Sequence, residues 1–276
     1  MSKDMRLMML AMLLLPFLVA CRGESVNLIE RPRALSDVPV AAWDALANKK
    51  IYFGHQSVGF NIVKGVEELM AEDPRIRLHI VESTDLAAFD GPVFAHYRVG
   101  SNRDPLSKNT AFSTFLLEGI GDQADLASFK YCYVDVTKDS DLPQIFAEYK
   151  ATIKKIHAAF PELCYLHMTV PLQQAPISIK TKIKLLVGRG DLWEFDDNIA
   201  RNRFNALLLE EYGGREPIFD LAKFESMRDD GSRESFTVRG HRVFSLMPEY
   251  TADGGHLNER GRRFVAEQFL VFLATL

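Results

Sequence analysis

Lys50-Ile-Tyr-Phe-Gly-His-Gln-Ser57-Val-Gly-Phe-Asn-Ile-Val-Lys-Gly-Val-Glu-Glu-Leu-Met-Ala71 changes its hydrophobic period once, and that change decides the fold class. Lys50–Gly54 is a short apolar run of strand type, whereas Val58–Ala71 sets Ile62, Val63, Val66 and Leu69 on one helical face. Between them lies Gly54-His55-Gln56-Ser57, a tight strand-to-helix junction. In α/β proteins such junctions lie at the carboxyl ends of the strands, where reactive groups gather.

The alternation continues outward. Ile76–Val81 reads as a second strand after Asp73-Pro74, and residues 83–109 as a loop rich in Gly, Pro, Asn and Asp. Thr110–Ile120 reads as a helix and Ala127–Val136 as a third strand. The helix Leu142–Phe160 carries Ile145, Phe146, Tyr149, Ile153 and Ile156 on one face. Leu163–Val170 is a strand stopped by Pro171, and Glu194–Tyr212 a helix ended by Gly213-Gly214. Pro217–Leu221 reads as a fifth strand, and Asn258–Leu276 as the closing helix. Repeated strand–helix units predict a mostly parallel five-stranded sheet covered by helices on both faces. Residues 222–255 read as a long segment with little regular structure.

The first residues read differently. Lys3 and Arg6 precede the apolar run Leu7–Ala20, the layout of a secretory signal occupying residues 1–20. Leu18-Val19-Ala20-Cys21 resembles a bacterial lipobox, which implies lipidation of Cys21 and a lipid-anchored protein of the cell envelope. With Arg22 rather than Asp after the cysteine, the expected address in a two-membrane bacterium is the outer membrane, facing the periplasm. Residues 21–42 are polar and contain prolines, as a tether does, leaving 43–276 for one α/β domain.

Charge is mixed and mildly acidic, with 33 Lys and Arg against 37 Asp and Glu, which argues against a nucleic-acid partner. Cys132 falls late in one expected strand and Cys164 early in the next. Parallel neighbours would hold them at opposite ends of the sheet, so they read as small buried residues and not as a disulfide. No cofactor or metal motif stands out. Lys180, Lys182, Lys184 and Arg189 lie among Ile and Leu in residues 173–190, a solvated amphipathic segment or a basic lid over an anionic substrate.

The other informative stretch is Asp253-Gly-Gly-His256-Leu-Asn258. An acid three positions before a histidine in a glycine turn can orient the imidazole as a base. Ser57, after strand one, is the matching nucleophile, since a serine needs a base to take its proton. Of the seven histidines, His79 and His167 sit in strand patterns and are expected to pack, with His157 on a helix, His241 in a loop and His55 pointing away. Asp220 is the alternative orienting acid; Asn258 suits a helix N-cap and Glu259 the first turn. The oxyanion donors expected are the Ser57 N–H, the Gly100 N–H and the side-chain amide of Asn102. Ser57, Gly100, Asp135, Asp253 and His256 all fall on the same expected sheet edge.

Those residues resemble the SGNH (GDSL-type) hydrolase superfamily. Its first block would be Phe53–Ser57, its second-block glycine Gly100, and its last block Asp253–His256. Gly54–Gly59 and Tyr250–Asn258 are similar to a bacterial branch that begins Gly-His-Gln-Ser-Val-Gly and ends Tyr-Thr-x-Asp-Gly-Gly-His-Leu-Asn. The resemblance implies a three-layer αβα, flavodoxin-like fold, no cofactor, and hydrolysis of esters or of acetyl groups on carbohydrates. Two departures stand out: Gln56 replaces the Asp before the serine, and Val134 occupies the place of the third-block oxyanion Asn. The expectation is a Ser57–His256–Asp253 esterase or acetylhydrolase acting on an acylated envelope glycan or lipid. An O-acyltransferase with the same triad, and a non-catalytic carbohydrate-binding or scaffold lipoprotein, are the alternatives.

Overall fold

The computed structural model describes residues 32–175, 193–238 and 240–276. Among the described residues six strands form one sheet: β1 (Lys50–His55), β2 (Ile80–Glu82), β3 (Val93–Arg98), β4 (Leu126–Phe129), β5 (Cys164–Met168) and β6 (Ile218–Phe219), in the order β2-β3-β1-β4-β5-β6. Every pairing in it is parallel. Apart from the three-residue edge strand β2, the order is that of a flavodoxin-like doubly wound sheet. The chain winds outward from β1 to β3, then crosses back to β4 on the other side of β1. That reversal opens a crevice at the carboxyl ends of β1, β3 and β4, the usual ligand position in such sheets.

Among the described residues the helices of five residues or more that follow α-helical geometry are α1 (Val40–Ala47), α2 (Val58–Glu72), α3 (Pro105–Phe115), α4 (Leu142–Ala159), α5 (Trp193–Tyr212), α6 (Leu221–Glu225) and α7 (Glu259–Ala274). They cover the sheet on both faces and make three layers, with a separate apolar core on each side. Alternation along β1 feeds both cores: Ile51 and Phe53 join the layer of α1, α2 and α7, while Tyr52 joins that of α3, α4 and α5. Helices α2 and α7 are further clamped by Arg262–Glu68 and Arg263–Glu72 ion pairs, each 2.6 Å. Among the described residues no helix is long and apolar enough to cross a membrane.

Several expectations are corrected. The sheet has six strands rather than five, because β3 lies in the segment read as loop 83–109. The second expected strand, Ile76–Val81, shrinks to Ile80–Glu82 at the sheet edge. Strand three stops at Phe129, and Asp135 lies beyond it in a 3-10 turn, Tyr133–Asp135. Residues 222–255 are not irregular: they hold most of α6 and an antiparallel hairpin of β7 (Ser235–Val238) and β8 (His241–Phe244). The described part of the expected tether is docked on the domain. The Arg33 and Leu35 N–H groups donate to Gln268 and Glu267 of α7, and Val38 is buried. His79 is exposed rather than packed, and His241 begins β8 instead of sitting in a loop. No disulfide joins Cys132 and Cys164. The basic residues Lys180, Lys182, Lys184 and Arg189, like the signal segment and Cys21, lie outside the described residues.

Candidate active site

The strand-to-helix junction after β1 is strained. Ser57 has φ 52° and ψ −112°, the first central position of a type II′ turn, a place normally taken by glycine. The Gly59 N–H closes the turn on the Gln56 carbonyl at 2.9 Å. An L-residue held in such a region costs about 1–3 kcal/mol and persists where its surroundings fix it, often at functional sites. The conformation lifts the Ser57 side chain off the amino end of α2, toward the loop before α7.

Ser57 Oγ and His256 Nε2 are 2.5 Å apart, and His256 Nδ1 lies 2.6 Å from Asp253 Oδ2. The structure thus brings together three side chains drawn from opposite ends of the chain. Asp253 Oδ1 accepts the N–H groups of His256 (2.8 Å) and Gly255 (2.9 Å), so the carboxylate is fixed by the loop it orients. Burial works to raise the Asp253 pKa, but these backbone donors and the imidazole outweigh it and hold the carboxyl well below the usual range. Gly255 is required by close approach, since a Cβ there would sit 2.7 Å from the Tyr133 ring. That ring meets His256 edge-on at 5.6 Å between centroids. Asn61 of α2 adds a tie by accepting the Leu257 N–H at 3.2 Å. Asp220, the alternative acid, is engaged elsewhere: it caps α6 and accepts from Thr169 Oγ1 at 2.9 Å.

The Gly100 loop forms the facing wall. The Gln56 side-chain amide donates to the carbonyls of Val99 (2.9 Å) and Gly100, so the residue before Ser57 staples the serine turn to this loop. Gly100 has φ +54°, and a Cβ there would lie 2.5 Å from the Lys108 nitrogen. No other residue fits against the first turn of α3. Among the described residues, the N–H groups of Ser57 and Gly100 and the Asn102 amide have no protein acceptor. All three remain able to donate to a ligand.

Asp135, expected on the site edge, is instead buried behind the loop and salt-bridged to Lys108 at 2.5 Å. Lys108 Nζ also reaches Asn102 Oδ1 at 3.1 Å. His55 is fully buried, its Nε2 3.0 Å from His96 Nδ1, in keeping with a ring turned away from Ser57. Asn258 caps α7 by accepting the Gly261 N–H. Among the described residues, no three His, Cys, Asp or Glu side chains converge as a metal site. Sequence reasoning singled out Gln56 as a departure and Asp135 as a site-edge residue, but missed Asn61, Tyr133 and Lys108 with its pairing to Asp135; none of these three carries a local signal.

No protein-family model matches the chain, and no curated protein matches it. Solved structures similar to it include a member of the lipolytic protein G-D-S-L family from Veillonella parvula. That pair shares 14% identity over 80% of this chain and 95% of the other, with a TM-score of 0.43. Another is the periplasmic domain of a lipopolysaccharide acetyltransferase from Salmonella ser. Paratyphi A, with 11% identity over 86% of this chain and 88% of that one and a TM-score of 0.44.

Proposed function

We propose that the chain is a serine hydrolase of the SGNH type that cleaves carboxylic esters. One observation carries the reading: Ser57 Oγ, His256 and Asp253 form a continuous hydrogen-bonded line. In this reading His256 Nε2 takes the Ser57 proton as Oγ attacks the ester carbonyl. Asp253 holds the proton on Nδ1 and stabilises the imidazolium. The carbonyl oxygen gains negative charge and accepts from the N–H groups of Ser57 and Gly100, with the Asn102 amide as third donor. The tetrahedral intermediate collapses, His256 returns the proton to the departing alcohol, and water deacylates Ser57 by the same steps in reverse.

The address belongs to the same proposal. Lipidation at Cys21 would hold the domain on an envelope membrane, where acylated glycans and lipids are the esters within reach. Replacing Cys21 by Ser is expected to release the protein from membranes to the soluble fraction.

The test of the activity is incubation of the full-length chain with p-nitrophenyl acetate and with a fluorophosphonate probe. Turnover and covalent labelling are expected, both lost in Ser57→Ala. Absence of both in the folded wild-type protein would overturn the hydrolase and favour a binding protein on the same fold. Acyl sugar formed when a sugar acceptor is added would shift the reading to an acyltransferase.

A further inference from the structure

The charges buried behind the Gly100 loop take no part in proton transfer, yet they are arranged around one exposed amide. Lys108 and Asp135 side chains are both 0% exposed and 2.5 Å apart. Burying an ion pair is costly, and two apolar side chains would pack as stably there. What the pair does beyond packing is visible in its other hydrogen bonds. Asp135 Oδ1 accepts the N–H of Arg103 at 2.7 Å, and Oδ2 accepts that of Cys132 at 2.6 Å. Arg103 has φ 69°, so this bond holds a strained tip on the turn Ser101–Asp104. The ammonium of Lys108 donates to Asn102 Oδ1 at 3.1 Å.

With its oxygen engaged by a buried cation, Asn102 has only one orientation of its amide: oxygen inward, NH₂ outward. Asn102 itself is exposed, in a loop that Gln56, the neighbour of Ser57, joins to the serine turn. A charge-assisted bond to an amide oxygen also draws electron density from its nitrogen and makes the N–H groups better donors. The donor is then both fixed and polarised before any negative charge forms, the condition for oxyanion stabilisation.

We infer that Lys108 and Asp135 are a positioning pair that orients and polarises the Asn102 amide as an oxyanion donor. The inference rests on the hydrolase reading of Ser57. Lys108 does not touch the substrate; it acts through Asn102.

The experiment is a cycle of variants of the full-length chain, assayed with p-nitrophenyl acetate for kcat and KM separately. Asn102→Ala, at an exposed turn, is expected to lower kcat about 10²-fold with KM nearly constant. Lys108→Met combined with Asp135→Asn leaves no lone buried charge. It is expected to lower kcat on the order of tenfold, the loss of one charge-assisted hydrogen bond to Asn102. Added to Asn102→Ala, the pair replacement is expected to cost nothing further, because its route to the oxyanion is already gone. Losses that multiply, or a pair variant with wild-type kcat, overturn the inference. Should the pair variant not fold, Asn102→Ala decides alone: kcat within about threefold of wild type overturns it. Failure of the hydrolase reading looks different, since the wild-type chain would then show no turnover at all.

Discussion

Replacing Asp253 by Asn changes the chemistry of the His256 loop while keeping its shape. In the native loop Asp253 Oδ1 accepts the backbone N–H groups of Gly255 and His256, and Oδ2 faces His256 Nδ1 at 2.6 Å. An Asn keeps its oxygen on the two backbone donors, which have no other use for it, so its NH₂ is turned toward Nδ1. The imidazole answers by accepting at Nδ1 and carrying its proton on Nε2, the nitrogen beside Ser57 Oγ. A base that already holds a proton cannot take another. Returning to the working tautomer forfeits one hydrogen bond, about 1 kcal/mol, and the imidazolium loses a charge-assisted one, about 1.5–3 kcal/mol. The sum of about 2.5–4 kcal/mol corresponds to a fall of roughly 10²–10³ in rate. Where the orienting acid is buried, as in the trypsin-type triad, the same exchange costs about 10⁴. Asp253 is 57% exposed, so water screens its charge and the smaller figure applies. The assay is kcat/KM on p-nitrophenyl acetate, with thermal melting to show that the loop still folds and Asp220→Asn as the control. Asp253→Asn within tenfold of wild type, or Asp220→Asn as damaging, would refute the reasoning.

Three further outcomes follow from the geometry. Ser57→Gly and Ser57→Ala both abolish turnover, but the Gly variant melts several degrees higher, since φ 52° is strained for Ala and open to Gly; equal melting temperatures would contradict the strain. Gly100→Ala places a Cβ 2.5 Å from the Lys108 nitrogen and is expected to cost about 1–3 kcal/mol by denaturant titration and most of the activity. Glu225 is fully buried, and desolvation, opposed by the Leu172 N–H and the Lys130 charge, pushes its pKa from 4.5 up to about 8. Between those values the folded chain binds more protons than the unfolded one, so stability falls as pH rises, by at most about 1.4 kcal/mol per unit. Glu225→Gln removes that contribution, and unchanged slopes in denaturant titrations at pH 5 and pH 8 would count against it.

The alternation of strand and helix was legible because each unit carries its own period, as Lys50–Ala71 does. β3 was not. Only Val93-Phe-Ala is apolar, followed by His96-Tyr97-Arg98, and its place in the sheet comes from pairing on both sides with β1 and β2. The β7–β8 hairpin was missed for a related reason: strands of four residues are too short for a lasting alternation, and β8 opens on His241-Arg242. The N-terminal segment read as a tether because its polar composition conceals its anchors: Val38 is buried and Leu35 packs against the same core. In the candidate site, Asp253 and His256 could be read as a unit because their relation is local. Ser57 stood out by its place at a junction. The Lys108–Asp135 pair spans 27 positions, and a lysine on a helix otherwise reads as a solvent-facing charge.

The grip of α7 on α2 sets a condition on when the serine can react. Ser57 emerges from the ribosome early, but its imidazole partner lies 199 residues later, and the helix that seats that partner ends only at Ala274. A nascent or C-terminally truncated chain therefore carries an idle hydroxyl. In the proposed mechanism the serine gains its base only once α7 has docked on α2, so that assembly of this layer is itself the activating event.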